Sequence, residues 1–218
     1  LSSIGNAVVA ERYTYVPYIG LLFMLAMEVA LAIKNKLSSY KTLLLSLAGI
    51  WIIFLAFLTW TRIPVWNNSQ ALWENVLRQY PESPRAWTNK GLDLFDQKKW
   101  PEVIADLSNA LKADPNYADA LEWRCRAYLE TKEPDKALSD ATQFYKAYPQ
   151  KEAALFLMAR AQDGTGRSET ALTTYNQLIA AYPSKPEYIN NRGVIYFNKL
   201  QRYPEAKADF EEAIRLNA

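Results

Sequence analysis

The chain divides by the spacing of its apolar positions into an unbroken hydrophobic part and a periodic part. Residues 42–61, TLLLSLAGIWIIFLAFLTWT, run twenty positions without a charge. At 1.5 Å rise per residue, a helix of that length matches a hydrocarbon core of roughly 30 Å. Trp51 lies within the run, and Trp60 and Trp66 mark its C-terminal end, where indole rings favour the membrane interface. Residues 13–33, YTYVPYIGLLFMLAMEVALAI, form a second apolar stretch with Pro17 near its first turn, where a missing N–H costs little. Its one carboxylate, Glu28, lies six residues before Lys34 and is read as an interfacial group. The pattern predicts a two-helix transmembrane hairpin over 13–33 and 42–61.

The connection 34–41, KNKLSSYK, carries Lys34, Lys36 and Lys41, and short basic loops stay on the cytoplasmic side. Both outer ends of the hairpin are then expected on the non-cytoplasmic side, in the periplasm of a bacterium or the lumen of a eukaryote. The chain opens Leu1-Ser2-Ser3 and reads as a fragment of a longer protein.

Beyond residue 61 the pattern changes to short apolar spacings punctuated by proline. Pro81, Pro115, Pro149 and Pro183 each follow the last by 34 residues. With each unit started three residues after its proline, the fourth position holds Trp87, Leu121, Leu155 and Ile189. The eighth holds the small residues Gly91, Cys125, Ala159 and Gly193. A second helix follows, with Val103, Ala137 and Ala171 at position 20, Leu107, Ala141 and Tyr175 at 24, and Ala110, Phe144 and Leu178 at 27, the 3-to-4 spacing of one helical face. In the fourth unit Ala206, Phe210 and Ala213 come one place late, which predicts a longer turn. Pro101, Pro134 and Pro204 are expected to open second helices, and Ser168 to cap the third.

A 34-residue period with small residues at position eight resembles the tetratricopeptide repeat (TPR), a stacked helix pair. The resemblance implies an all-α right-handed solenoid: connector and half-repeat over 62–83, then repeats over 84–117, 118–151, 152–185 and 186–218. Residues 1–12 form an external juxtamembrane segment. Trp73, Val76 and Pro81 would belong to a half-repeat that caps the array.

Charge and composition narrow the chemistry. Formal charge is +2, all of it from residues 1–61; the remaining residues carry 21 cations and 21 carboxylates. Such a neutral region lacks the basic footprint of a nucleic-acid binder. One cysteine and no histidine leave no intrachain disulfide, no Cys or His zinc cluster and no His-assisted nucleophile. Cys125, at a small-residue helix crossing, reads as a small hydrophobe. No catalytic residue, metal site or cofactor is expected in this chain.

In TPR arrays the first helices line a concave groove that holds peptides or partner helices. The resemblance places Asn89, Glu122, Trp123, Arg126, Phe156, Arg160, Asn190 and Asn191 on that groove. Arginine, tryptophan and asparagine suit an extended peptide with acidic and aromatic features. The pattern departs from the lysine and asparagine clamp of chaperone-binding TPR domains, so that activity is not carried over.

The run from Glu11 through Arg12, Tyr13, Tyr15 and Pro17 to Gly20 leads into the apolar stretches, then into a Trp-rich connector with Trp66, Leu72 and Trp73, and then into the repeats. In this order it resembles the C-terminal part of TPR-tailed O-mannosyltransferase-type (C-superfamily) glycosyltransferases, which take sugar from a lipid-phosphate donor. The resemblance implies that Arg12 contacts the donor phosphate with Glu11 orienting it; an interfacial ion pair or an anchor at the start of the helix explains them equally. It also implies a lipid-linked sugar as a partner of the longer protein. Two functions stay open: an acceptor-binding or scaffolding tail of such an enzyme, or a non-enzymatic TPR adaptor that organises an envelope or lumenal complex.

Overall fold

A computed structural model describes residues 41–66 and 68–217, with 26 and 30 singly. The apolar stretch 13–33 apart from those two positions, the loop 34–40, and Glu11 and Arg12 lie outside the described residues. Among the described residues the structure is all-α, with ten helices. Two compact units divide the chain, Leu1–Ala71 and Leu72–Ala218.

In the first unit, α1 (Lys41–Trp66) is 26 residues long and apolar on every side. Leu47, Ile50, Ile53, Phe57 and Trp60 are all exposed on it. Its threonine hydroxyls are satisfied within the helix, Thr59 by the Leu55 carbonyl at 2.9 Å and Thr61 by that of Leu58 at 2.8 Å. Among the described residues no helix is long and apolar enough to cross a membrane. Helix α1 runs on past Thr61 to Trp66, so the expected connector is largely helical. Only 67–68 separate it from α2 (Ser69–Gln79), whose first turn is capped by the Asn68 side chain accepting from the Ala71 N–H at 2.8 Å.

The second unit is a succession of helix pairs: α3 (Pro84–Phe95) with α4 (Trp100–Ala113), α5 (Ala118–Glu130) with α6 (Pro134–Ala147), α7 (Glu152–Gly164) with α8 (Ser168–Ala181), and α9 (Pro186–Asn198) with α10 (Tyr203–Asn217). Their first helices begin at 84, 118, 152 and 186. Sequence and backbone agree on why each pair turns where it does. Lys98, Lys132 and Gly166 occupy one equivalent position with φ of 57°, 60° and 78°, the left-handed conformation that ends a helix. The next N–H then reaches back five residues, as from Glu133 to the Tyr128 carbonyl at 2.8 Å. In the fourth pair the left-handed residue is Gln201, one place later, and the second helix begins one residue later relative to the first than in the other pairs.

Proline lies at the first or second position of α4, α6 and α9. Ser168 does not cap α8. It is the helix's first residue, after Arg167, and its hydroxyl meets the Asp163 carboxylate at 3.1 Å. The capping position falls one residue earlier, on Arg167, which has no side-chain oxygen to accept from the orphan N–H groups.

Two apolar clusters fill the pairs. One joins Val103, Leu107, Leu121, Cys125, Phe144 and Leu157; the other joins Phe156, Ala159, Tyr175, Leu178, Tyr188 and Ile195. The small eighth positions are where helices approach. A Cβ on Gly193 would come within 2.9 Å of Phe210 Cε1 and 3.0 Å of Asp209 Cβ, whereas one on Gly91 would meet its nearest neighbours at 3.4 Å.

Candidate functional site

The seventh position of each first helix carries a cation in three repeats, and it faces a carboxylate of the partner helix. Arg124 grips Asp140 with two parallel bonds of 2.7 and 2.8 Å, and its third nitrogen donates to Ser108 Oγ of the preceding repeat at 3.0 Å. Arg192 does the same with Asp209, at 2.6 and 2.9 Å, and with Asn176 of the preceding repeat at 2.6 Å. Lys90 pairs with Asp106 at 3.3 Å, where burial pushes the Asp106 carboxyl up against the pull of Lys90. The third repeat has Met158 at that position. There Thr174 donates instead to Gln162 Oε1 at 2.8 Å. Bidentate guanidinium pairs of this kind fix orientation as well as supplying energy. Sequence reasoning passed over them; the signal that could have found them is the recurrence of Lys90 and Arg124 with Asp106 and Asp140 at the same 34-residue period.

The expected groove residues separate into three settings. On α5, Arg126 bonds Glu122 at 2.9 Å and lies 5.4 Å from the centre of the Trp123 ring. Trp123 in turn meets Phe95 of the first repeat edge-on at 4.9 Å, and Phe95 meets Trp100 at 5.0 Å. Trp123 therefore joins two repeats.

On α7, Arg160 is half-buried, with its guanidinium 5.9 Å from the Phe156 ring. Phe156, expected as a ligand contact, is a core residue at 7% exposure, its ring 5.2 Å from that of Tyr188 and 6.4 Å from that of Tyr175. Aromatic neighbours on both adjoining helices draw it inward. On α9, Asn191 is half-buried and its amide donates to the Glu187 carbonyl at 2.8 Å. Asn190 is exposed and lines a separate space of about 550 Å³ with Pro186, Phe210 and Ile214. Asn89 is half-buried on α3. Successive first helices α3, α5 and α7 touch one another.

Cys125 is fully buried, and its thiol donates to the Ala137 carbonyl at 3.3 Å. Burial, and then Asp140, push the thiol up to about 12, against the opposing pull of Arg160 and Arg126. It is therefore protonated and unreactive at neutral pH. Among the described residues no group of three acidic, cysteine or histidine side chains could hold a metal ion.

Among curated proteins none matches this sequence. Solved structures do. A MamA double mutant from strain RS-1 is 19% identical with a TM-score of 0.62, over 68% of this chain and 83% of that one. A MamA fragment from Desulfovibrio magneticus RS-1 is 18% identical with a TM-score of 0.61, over 69% and 96%. YrrB, described as a TPR protein with an unusual peptide-binding site, is 18% identical with a TM-score of 0.60, over 67% and 75%. At such identities the likeness is one of fold. Tetratricopeptide repeat families match residues 94–139, 153–185 and 186–218, together just over half of the chain, and with the helix pairs described above this places the chain in the tetratricopeptide repeat family.

Proposed function

We propose that this chain is a membrane-anchored interaction module that holds a peptide or protein segment along its first helices. The observation that carries this reading is the run of contacting first helices α3, α5 and α7, which places Asn89 and Trp123 at the sixth position and Arg126 and Arg160 at the ninth, one turn apart on one helical face. Side chains with both a planar face and directional donors are the ones that dominate peptide affinity. YrrB, of the same fold, is described by its peptide-binding site, which supports the same use here.

Anchoring rests on α1. A helix of 26 residues that exposes Leu47, Ile50, Ile53, Phe57 and Trp60 has no aqueous setting that suits it, and the uncharged run 42–61 is the length of a hydrocarbon core. The basic loop 34–41 supports a non-cytoplasmic position for the repeats. In that setting the module serves as the acceptor-binding or scaffolding tail of a larger glycosyltransferase-like membrane protein. The alternative is an adaptor without catalysis, and the aromatic and ion-pair packing of its repeats serves either role.

A photo-crosslinking residue in place of Asn89, in the full chain in membranes, tests the groove. Captured polypeptide above that of the same group at Lys146, on second helix α6, is the expected result. Equal capture at both sites would overturn the peptide-holding reading. Protease protection of the repeats in sealed cytoplasm-inside vesicles is expected to be lost, and their persistence uncut would overturn the orientation.

A further inference from the structure

We propose that Arg160, seconded by Arg126, is an anion seat in the groove, and that the segment held there is an acidic peptide whose carboxylates take the two guanidinium groups. This rests on the groove reading above and goes beyond it by naming the chemistry of the ligand.

Among the described arginines that are half-buried, Arg124, Arg126 and Arg192 each hold a carboxylate within 2.9 Å. Arg160 is different. Among the described residues its side chain makes no hydrogen bond and no ion pair, and its guanidinium lies 5.9 Å from the centre of the Phe156 ring. A half-buried guanidinium has lost part of its hydration without the acceptor that ordinarily replaces it, and five donors in a planar fork are built to take a carboxylate.

The surrounding carboxylates are engaged elsewhere. Asp140 is gripped by Arg124, Asp163 meets the Ser168 hydroxyl, and Glu152 is held by the Tyr188 hydroxyl and by Lys185. Glu187 is exposed to solvent on α9. Phe156 fixes the guanidinium plane from below, as Trp123 does for Arg126, and both arginines lie near enough to act electrostatically on the same buried thiol of Cys125. They occupy the ninth position of adjacent repeats, 34 residues apart, on helices that touch. An extended peptide crossing from one repeat to the next therefore passes both. Glu122 then occupies the second seat in the absence of ligand, as an internal carboxylate that an incoming one displaces.

Binding of a fluorescein-labelled hexaglutamate peptide to the full chain in detergent micelles, followed by anisotropy, tests this. Hexaglutamate is expected to bind at least about tenfold tighter than labelled hexaserine, and more weakly as salt rises. Arg160→Ala is expected to remove about tenfold of that affinity with only a small drop in melting temperature, since it loses a ring contact with Phe156 but no hydrogen bond or ion pair. Arg160→Lys, which keeps the charge and loses the fork, should retain part of it. Glu122→Gln is expected to tighten binding by freeing Arg126. Equal binding of the two peptides, or undiminished hexaglutamate binding by both Arg160 variants, would overturn the proposal. If crosslinking from Asn89 still captures peptide in that case, the groove reading survives and the anion seat alone falls.

Discussion

The second and third repeats occupy the same fold and solve one packing problem with opposite chemistries. In the second, Arg124 and the 4% exposed Asp140 form a bidentate ion pair that also reaches Ser108. In the third, Met158 leaves the cation's place apolar, and Thr174 and Gln162 satisfy one another. A buried ion pair recovers its desolvation cost only while both partners remain, whereas a neutral hydroxyl–amide pair has little desolvation to recover. The comparison teaches that the helix pair needs a satisfied polar contact at this depth, and that charge there is optional.

The largest expected effect comes from breaking the charged solution halfway. Arg124→Ala leaves Asp140 buried without its partner and is expected to cost about 3–5 kcal/mol in chemical denaturation, as for other unpaired buried charges. Transplanting the third repeat's solution, Arg124→Met with Tyr128→Gln and Asp140→Thr, should restore most of that stability. A triple variant as unstable as Arg124→Ala would show that the ion pair itself, and not satisfaction, is what the second repeat requires.

A smaller effect separates the outer repeats at the eighth position, where the inner ones carry Cys125 and Ala159. Gly193→Ala drives its new methyl against Phe210 and Asp209, and is expected to lower the melting temperature through a loss of about 1–3 kcal/mol. Gly91→Ala has ordinary contact distances and gains up to ~1 kcal/mol of helix propensity. Opposite signs in the two thermal shifts are the expected outcome; a loss in both would mean that the first helix pair is as tightly closed as the fourth.

The smallest effect concerns the turns of the two repeats first compared. Lys132 holds the left-handed conformation that Gly166 holds in the third repeat. Lys132→Gly is expected to stabilise by about 1 kcal/mol and Gly166→Ala to destabilise by a similar amount, read by thermal melting.

Much of the array was legible from the prolines, because one proline per 34 residues ends a helix at a fixed phase and the small eighth positions then fall where helices cross. The ion pairs were not, since residues such as Arg124 and Asp140 sit 16 apart and look like two unrelated surface charges until the helices fold onto each other. Phe156 was assigned to the groove by its position number. Tyr175 and Tyr188, which pull it into the core, come from two other helices, and no local pattern announces that. Ser168 before Glu169 has the look of a cap, but the turn places Arg167 at that position and Ser168 one residue inside the helix. Of the residues expected on the groove, Arg126 lies over Trp123 and Arg160 over Phe156, while Asn190 borders a space beside α10.

The guanidinium bridges from Arg124 to Ser108 and from Arg192 to Asn176 tie the first repeat to the second and the third to the fourth. With Met158 in the corresponding place, the junction between the second and third repeats has apolar packing there instead. Directional bonds resist rotation, while packed side chains resist mainly separation. At the first and last junctions a guanidinium therefore resists rotation, whereas at the central junction, where one apolar core runs on from Phe144 to Leu157, close packing alone has that task.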